Sequence, residues 1–494
     1  MRAWLPPGHL AWQVIGVTGQ LDLSGFAAAY RADGQGQAPY DPAMMTALLL
    51  YCYFKGIRSS RKIAGACVDD LGCLVICGGA RPSHQAVAVF IRRHRPEVKR
   101  LFVQVLGLLA AEGAVGGQVA AVDGSPVSGN ASRFANVTGE QLTDRTAAVQ
   151  AAIDAEVEAW LAGTAAAGQA PLWDDGGDDE DPPPGGGPGG GAPRRLAAKL
   201  ARLQAAQGTL TGRQAAPRGA AARAAAAEQA VAGAAQRLAA AEAAQAAKMA
   251  AYAAATAAGK RWAGKKPVPA GQSAQVARIR KNLATAQGRL AAARQAAAAS
   301  PVKVSATDPD SRLVPAKNGG GWLQGWNLQL AAARRQVLLA AGLHDNPADA
   351  GALATMIAAA AANCAVAGLA GRIRAWLADN GYASTASFAQ LDHLMLLVAV
   401  HGEAAQAGRG DGRTTVPPGW EKMAARLATP AGKKLYRRRA ALVEPAFAQF
   451  FARFGRYLNY RGRDAADTEV KLLATVHNLA KLLDHRRRHP ALAT

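Results

Sequence analysis

The chain has 494 residues, half of them hydrophobic, enough for two or three domains with sizeable cores. Lys and Arg number 57 against 35 Asp and Glu, and the net charge of +22 favours a polyanionic partner, nucleic acid first. Five cysteines in so long a chain exclude a disulfide framework, and no apolar run is long enough for a signal peptide or a membrane span, so the expected place is the cytoplasm, at the nucleoid.

Residues 1–115 read as an all-helical DNA-binding domain. Asp41 is an N-cap candidate with Pro42 at the first helical position, and the apolar residues of 42–54 run around most of the helix, as in a buried one. The stretch 56–62 (GIRSSRK) follows, and its Arg58, Arg61 and Lys62 suit contacts to a DNA backbone. Cys67, Cys73 and Cys77 lack the paired C-x2-C spacing of a zinc site and read as core or free thiols. His84, His94 and His344 have no metal-ligand spacing either.

At 117–128 (GQVAAVDGSPVS) the pattern changes to a short strand with Asp123 near its end. Residues 133–300 form an Ala-rich helical insertion, interrupted by an acidic Gly/Pro-rich linker at 174–193 whose composition cannot bury a core. Leu196, Leu200 and Leu203, and again Val276, Ile279, Leu283 and Leu290, follow the spacing of a coiled-coil seam. An antiparallel helical hairpin with its break at 265–273 is expected, made irregular by Pro217 and several glycines.

After the insertion, strand signals return: an extended 303–307, then a strand pair at 322–332 and 336–343. A helix at 348–368 with Asp349 as its N-cap, a strand at 373–378 ending on Asp379, a helix at 384–392 and a strand at 395–400 follow. A long helix at 429–454, kinked at Pro445, closes the series. Strands alternating with helices predict an α/β domain with a mixed sheet, in the order found in ribonuclease-H-like folds. That catalytic domain spans 116–132 plus 301–460, and a C-terminal helix with a basic tail spans 461–494.

Cutting a phosphodiester requires an activated water and neutralisation of charge on the leaving oxygen, which two divalent ions held by a few carboxylates supply. Asp123, Asp379 and Glu444 are the three acids this order places plausibly, with Tyr436, Arg438 and Arg439 one or two turns before the glutamate. Asp308 and Asp310 compete as oxygen ligands, or else Asp308 caps a turn and Asp310 pairs with Arg312.

Several segments resemble insertion-sequence transposases of the DDE superfamily. LDLSGF (21–26), residues 40–67 and residues 82–106 look like that family's N-terminal block, and AVDGSPVSGNAS (121–132) like its first-Asp motif. TDPDSRLVPAKNGGGWLQGWNLQ (307–329), LADNGYAS (377–384) and LYRRRAALVEPAFAQF (435–450) follow in the family's order. The resemblance implies a ribonuclease-H-like fold and Asp123, Asp379 and Glu444 as ligands of two Mg²⁺ or Mn²⁺ ions. It further implies Tyr436 and Arg439 on the transposon end, cleavage at inverted repeats, transfer of the freed 3′-OH to target DNA, and a homodimer on double-stranded DNA. Phe451 stands where the family carries Lys, with Arg453 the nearest base. Two alternatives follow: a DNA-binding protein that has lost catalysis, through decay or domestication, and a nuclease on the same fold.

Overall fold

The computed structural model describes residues 4–30, 39–161, 191–215, 219–299, 301–317, 320–400 and 419–490. Residues 174–190 of the acidic linker and Pro217 lie outside them. The described residues of 1–135 and 307–494 build one compact unit, and those of 136–166 and 195–306 a second.

The first unit opens with helices α1 (Leu10–Thr18), α2 (Ser24–Ala28), α3 (Pro42–Phe54), α4 (Ser60–Asp69), α5 (Leu71–Ile76), α6 (His84–Arg93) and α7 (Arg95–Ala111). Asp41 caps α3 as its sequence requires, accepting hydrogen bonds from the backbone N–H groups of Ala43 and Met44 at 3.2 Å each. From Met45 to Tyr53 every residue of α3 is buried. All five cysteines are free and buried; Cys52 and Cys73 approach to 3.6 Å and Cys67 and Cys77 to 4.0 Å.

The chain then enters β1 (Val119–Ser128), and in the second unit come β2 (Asn136–Val137), α8 (Gly139–Leu161), α9 (Gly191–Ala215), α10 (Gly219–Ala257), α11 (Ala274–Ala299) and β3 (Val304–Ser305). β2 and β3 pair antiparallel, Asn136 opposite Ser305. Leu203 and Leu210 of α9 pack with Leu142 and Val149 of α8 and with Val137 and Val304, so the Leu196–Leu200–Leu203 seam is used against α8. The hairpin expected around 265–273 is formed by α10 and α11.

Back in the first unit lie β4 (Arg312–Pro315), β5 (Trp322–Ala332), β6 (Leu338–His344), α12 (Ala352–Val366), β7 (Ala375–Ala378), α13 (Thr385–Gln390) and β8 (Met395–Val398). The chain ends with α14 (Trp420–Ala428), α15 (Pro430–Tyr436), α16 (Arg438–Phe454) and α17 (Arg463–Arg488). The strands form one mixed sheet in the order β4-β5-β1-β7-β8, with β6 beside β5. β1 runs antiparallel to β5 and parallel to β7, and β7 parallel to β8. The protein is therefore mixed α/β. One hydrophobic cluster joins the sheet to the N-terminal helices, from Leu48 and Phe102 through Val122 and Leu330 to Val476.

The long helix expected at 429–454 breaks at Arg437, between α15 and α16, and Pro445 sits inside α16. Proline lacks the N–H that would bond the carbonyl four residues back. That carbonyl, on Ala441, instead accepts from the Gln336 side-chain amide at 3.5 Å. No helix among the described residues is long and apolar enough to cross a membrane.

Candidate active site

Parallel pairing sets the level of the first two acids. Ala121 of β1 lies opposite Leu377 of β7, and each strand reaches an aspartate two residues later, Asp123 and Asp379. Side chains alternate along a strand, so both carboxylates leave the same face, Asp123 midway along β1 and Asp379 just past the end of β7. Asp379 accepts from the backbone N–H of Gly381 at 2.9 Å, and Asp123 from that of Gly124 at 2.8 Å. Burial pushes the Asp123 carboxyl above its ordinary range, against the Gly124 N–H, and the neighbouring Asp379 charge pushes the same way.

Helix α16 brings Glu444 to this edge through Arg439. The Arg439 guanidinium stands 3.3 Å from Asp123 and 3.5 Å from Glu444. Glu444 is otherwise exposed, its side chain 61 % accessible. Tyr436 is half-buried and donates its hydroxyl to the carbonyl of Ala378, one residue before Asp379, at 3.2 Å. Arg438 is exposed on the first turn of α16. No three His, Cys, Asp or Glu side chains among the described residues stand as a group that could hold a metal ion.

Sequence reasoning missed a fourth acid at this edge. The helix after β6 begins only at Ala352, with Gly351 at its N-cap, so Asp349 is not the cap expected of it. Its carboxylate instead accepts from the Asn327 amide at 2.9 Å and the Gln329 amide at 2.8 Å, both on β5. Gln329 takes a hydrogen bond in turn from the buried hydroxyl of Tyr382, on the loop after Asp379. Burial raises the Tyr382 phenol well above its ordinary range, helped by the charges of Asp349, Asp123 and Asp379, so it remains a donor. A Cβ placed on Gly124 would lie 2.1 Å from Asp349 Oδ1, which explains a glycine directly after Asp123. The signal was present in the alternation of Asn327 and Gln329 on one strand face, but nothing local tied it to Asp349.

The basic stretch after α3 divides. Arg61 and Lys62 are exposed. Arg58, expected at DNA, is only 3 % accessible. It donates to the Tyr457 carbonyl at 3.0 Å, stacks over the Tyr457 ring and faces Glu469 at 3.7 Å. A guanidinium so buried and engaged cannot reach a phosphate.

Asp308 and Asp310 also leave the site. They hold the start of α17, Asp308 accepting from the Gly462 N–H at 3.2 Å and Asp310 from the Arg463 N–H at 2.9 Å. Anions suit a helix N-terminus. Burial raises Asp308 to about 6 from 3.8, and its residue is 1 % accessible. A raised folded-state value means stability that is full at low pH and lost as pH climbs from 3.8 through about 6. Asp308→Asn keeps the acceptor for Gly462 and should remove this component, on the order of 3 kcal/mol. Urea unfolding of both proteins at several pH values checks it; equal slopes across that window would refute the assignment.

Phe451 is buried against Phe447 and Phe450, and the Arg456 guanidinium lies over its ring at 3.9 Å. Arg456 also donates to Ser125, two residues after Asp123, at 3.1 Å. Arg453 is turned away, donating to the Phe54 carbonyl at 3.0 Å.

Two family models match the chain. One, described as Transposase domain (DUF772), covers residues 1–93, and the other, described as Transposase DDE domain, covers residues 415–483, which include Tyr436, Arg439 and Glu444. The two matches, one at each end of the chain, are consistent with a DDE insertion-sequence transposase. DNA is the substrate on which transposases act, and DDE transposases generally use divalent metals. No curated protein and no solved structure matches the chain.

Proposed function

We propose that this transposase cuts DNA at transposon inverted repeats and joins the freed 3′-OH to target DNA, with Asp123, Asp379 and Glu444 as its catalytic acids. One observation carries the reading: the parallel register of β1 and β7 sets Asp123, midway along β1, level with Asp379, directly after β7, and Arg439 links Asp123 to Glu444. The sheet order, with an antiparallel β6-β5-β1 half and a parallel β1-β7-β8 half, supports a ribonuclease-H-like core.

The donor set is carboxylate oxygen, which suits Mg²⁺ or Mn²⁺. Asp123 and Glu444 share one positive group, the Arg439 guanidinium, which balances their charge. Asp123 and Asp379 with Glu444 would hold two such ions, whose chemistry is to activate water and to stabilise the leaving oxygen. The protein's own part is placement. The Gly124 and Gly381 N–H groups fix the two aspartates, and Tyr436 ties α15 to the end of β7. Arg438 and Tyr436 are proposed to contact the transposon end, with Arg61 and Lys62 on flanking phosphates. The acting species is proposed to be a homodimer on double-stranded DNA.

The test is nicking of DNA carrying the flanking repeats, by wild type and by Glu444→Gln, with Mg²⁺ and with EDTA. Cleavage at the repeat boundary that vanishes with EDTA and in the variant is the expected result. Cleavage that survives in Glu444→Gln would sink the assignment of that residue. The second reading, a DNA-binding protein without catalysis, rests on Phe451, buried where the family carries Lys; binding of repeat DNA without any nicking in Mg²⁺ or Mn²⁺ would favour it.

A further inference from the structure

The segment from Gly219 to Ala299 lies outside both family matches and apart from the acids just described. Its helices α10 and α11 are antiparallel. Arg280 bonds Glu242 at 2.7 Å and Arg294 bonds Glu228 at 2.6 Å, so stepping forward along α11 steps equally far back along α10. With 39 and 26 residues, the helices are roughly 58 and 39 Å long.

The charge on this hairpin is one-sided. It contains twelve Lys and Arg residues, all exposed, and only two acids, Glu228 and Glu242. Both acids are used in the interhelical pairs, and the other ten cations have no carboxylate partner among the described residues. Its larger apolar side chains, such as Leu238, Val276 and Leu283, are withdrawn from solvent, Val268 excepted. What remains outside is alanine, small polar groups and positive charge.

The tip is built rather than loose. Trp262 packs edge-on against Tyr252 at 5.5 Å and donates its indole N–H to the Lys265 carbonyl at 3.2 Å. Gln245 donates to the Val268 carbonyl at 2.6 Å, and Lys266 lies 5.8 Å over the Tyr252 ring. This frame presents Lys260, Arg261, Lys265 and Lys266 together.

We propose that the hairpin is a sequence-independent grip on duplex DNA, with the tip cations on backbone phosphates. A duplex carries one negative charge per roughly 1.7 Å, so an arm this long meets a continuous row of partners. Protein partners are bound chiefly through buried aromatic and arginine anchors in well-packed pockets, and an outer face of alanine offers none. The proposal shares with the transposase reading its DNA partner but not its acids.

The test uses the full chain and a duplex of sequence unrelated to any repeat, with affinity measured against salt. Each phosphate neutralised adds about 0.9 to the slope of log K against log salt, so changing Lys260, Arg261, Lys265 and Lys266 together to Gln should flatten it by roughly 3–4. At low salt the loss of affinity should be about 100-fold or more. Circular dichroism establishes that the variant keeps its helices. Should it lose them, Lys248→Gln with Arg278→Gln and Arg289→Gln, all on helix surfaces, replaces it, with a flattening of roughly 2–3 expected. An unchanged slope in a folded variant overturns the proposal. So does failure of the wild type to bind the duplex, or a fall in sedimenting mass with the slope unchanged, which would make the tip a contact between copies of this chain. Steep binding here with no nicking of repeat DNA would sink the catalytic reading and leave the grip standing.

Discussion

Asp123→Asn is expected to lower nicking at a repeat end by about 10³-fold or more, roughly 4 kcal/mol of transition-state stabilisation, while changing affinity for the same DNA by less than about twofold. The asymmetry follows from where the residue sits. Asp123 is mostly withdrawn from solvent, its side chain 16 % accessible, and its charged neighbours are Asp379, Arg439 and Lys317. Removing one negative charge from a cluster that must face polyanionic DNA does not weaken the electrostatic part of binding. It does remove one of the two acids that β1 and β7 bring to the same level. Filter binding alongside a nicking time course separates the two effects. Parallel loss of binding and cutting would mean that Asp123 serves the fold or the DNA contact rather than the chemistry.

Glu469→Ala should destabilise the protein by about 3–5 kcal/mol, the cost expected when one partner of a buried charge pair is deleted. Glu469 is 1 % accessible and faces Arg58, itself 3 % accessible. It also accepts from the Asn459 N–H at 2.7 Å, the Asn459 amide at 2.9 Å and the Tyr460 N–H at 3.3 Å. Deletion leaves a buried guanidinium and several donors without acceptors. The loop that carries Asn459 and Tyr460 also adds to the end of β1, where Leu458 donates to the Ser128 carbonyl at 2.7 Å. Chemical unfolding measures the effect, and Glu469→Gln, which retains an acceptor, should lose less. A loss under about 1 kcal/mol in the alanine variant would show that water replaces these bonds.

Much of the fold was legible because it depends on short-range patterns. The β5 boundaries, Trp322 and Ala332, follow from an apolar strand run, and Asp41 with Pro42 announced the start of α3. The strand around Asp123 and the strand that ends just before Asp379 were legible too, as runs of buried small and branched residues. What escaped were facts of long-range partnership. Arg58 reads like any loop arginine until Glu469, more than four hundred residues later, is folded against it. Asp349 reads as a helix cap because its true partners, Asn327 and Gln329, lie on another element. Pro445 announces an orphaned carbonyl inside a helix, but sequence cannot reveal that Gln336 will bond it.

The short pairing of Asn136 with Ser305 has a consequence for how the sheet can form. β1 and β5 must find each other across nearly two hundred residues, which for an open loop carries a large closure entropy. With β2 and β3 paired, the insertion's two ends lie together and the loop left between β1 and β5 is much shorter, while the closure entropy of the insertion falls on that pairing and on the helices between. Length added or removed between α8 and α11 then falls outside the search. An insertion whose ends are tied in this way can change in size without changing the loop that β1 and β5 must close once the tie is made.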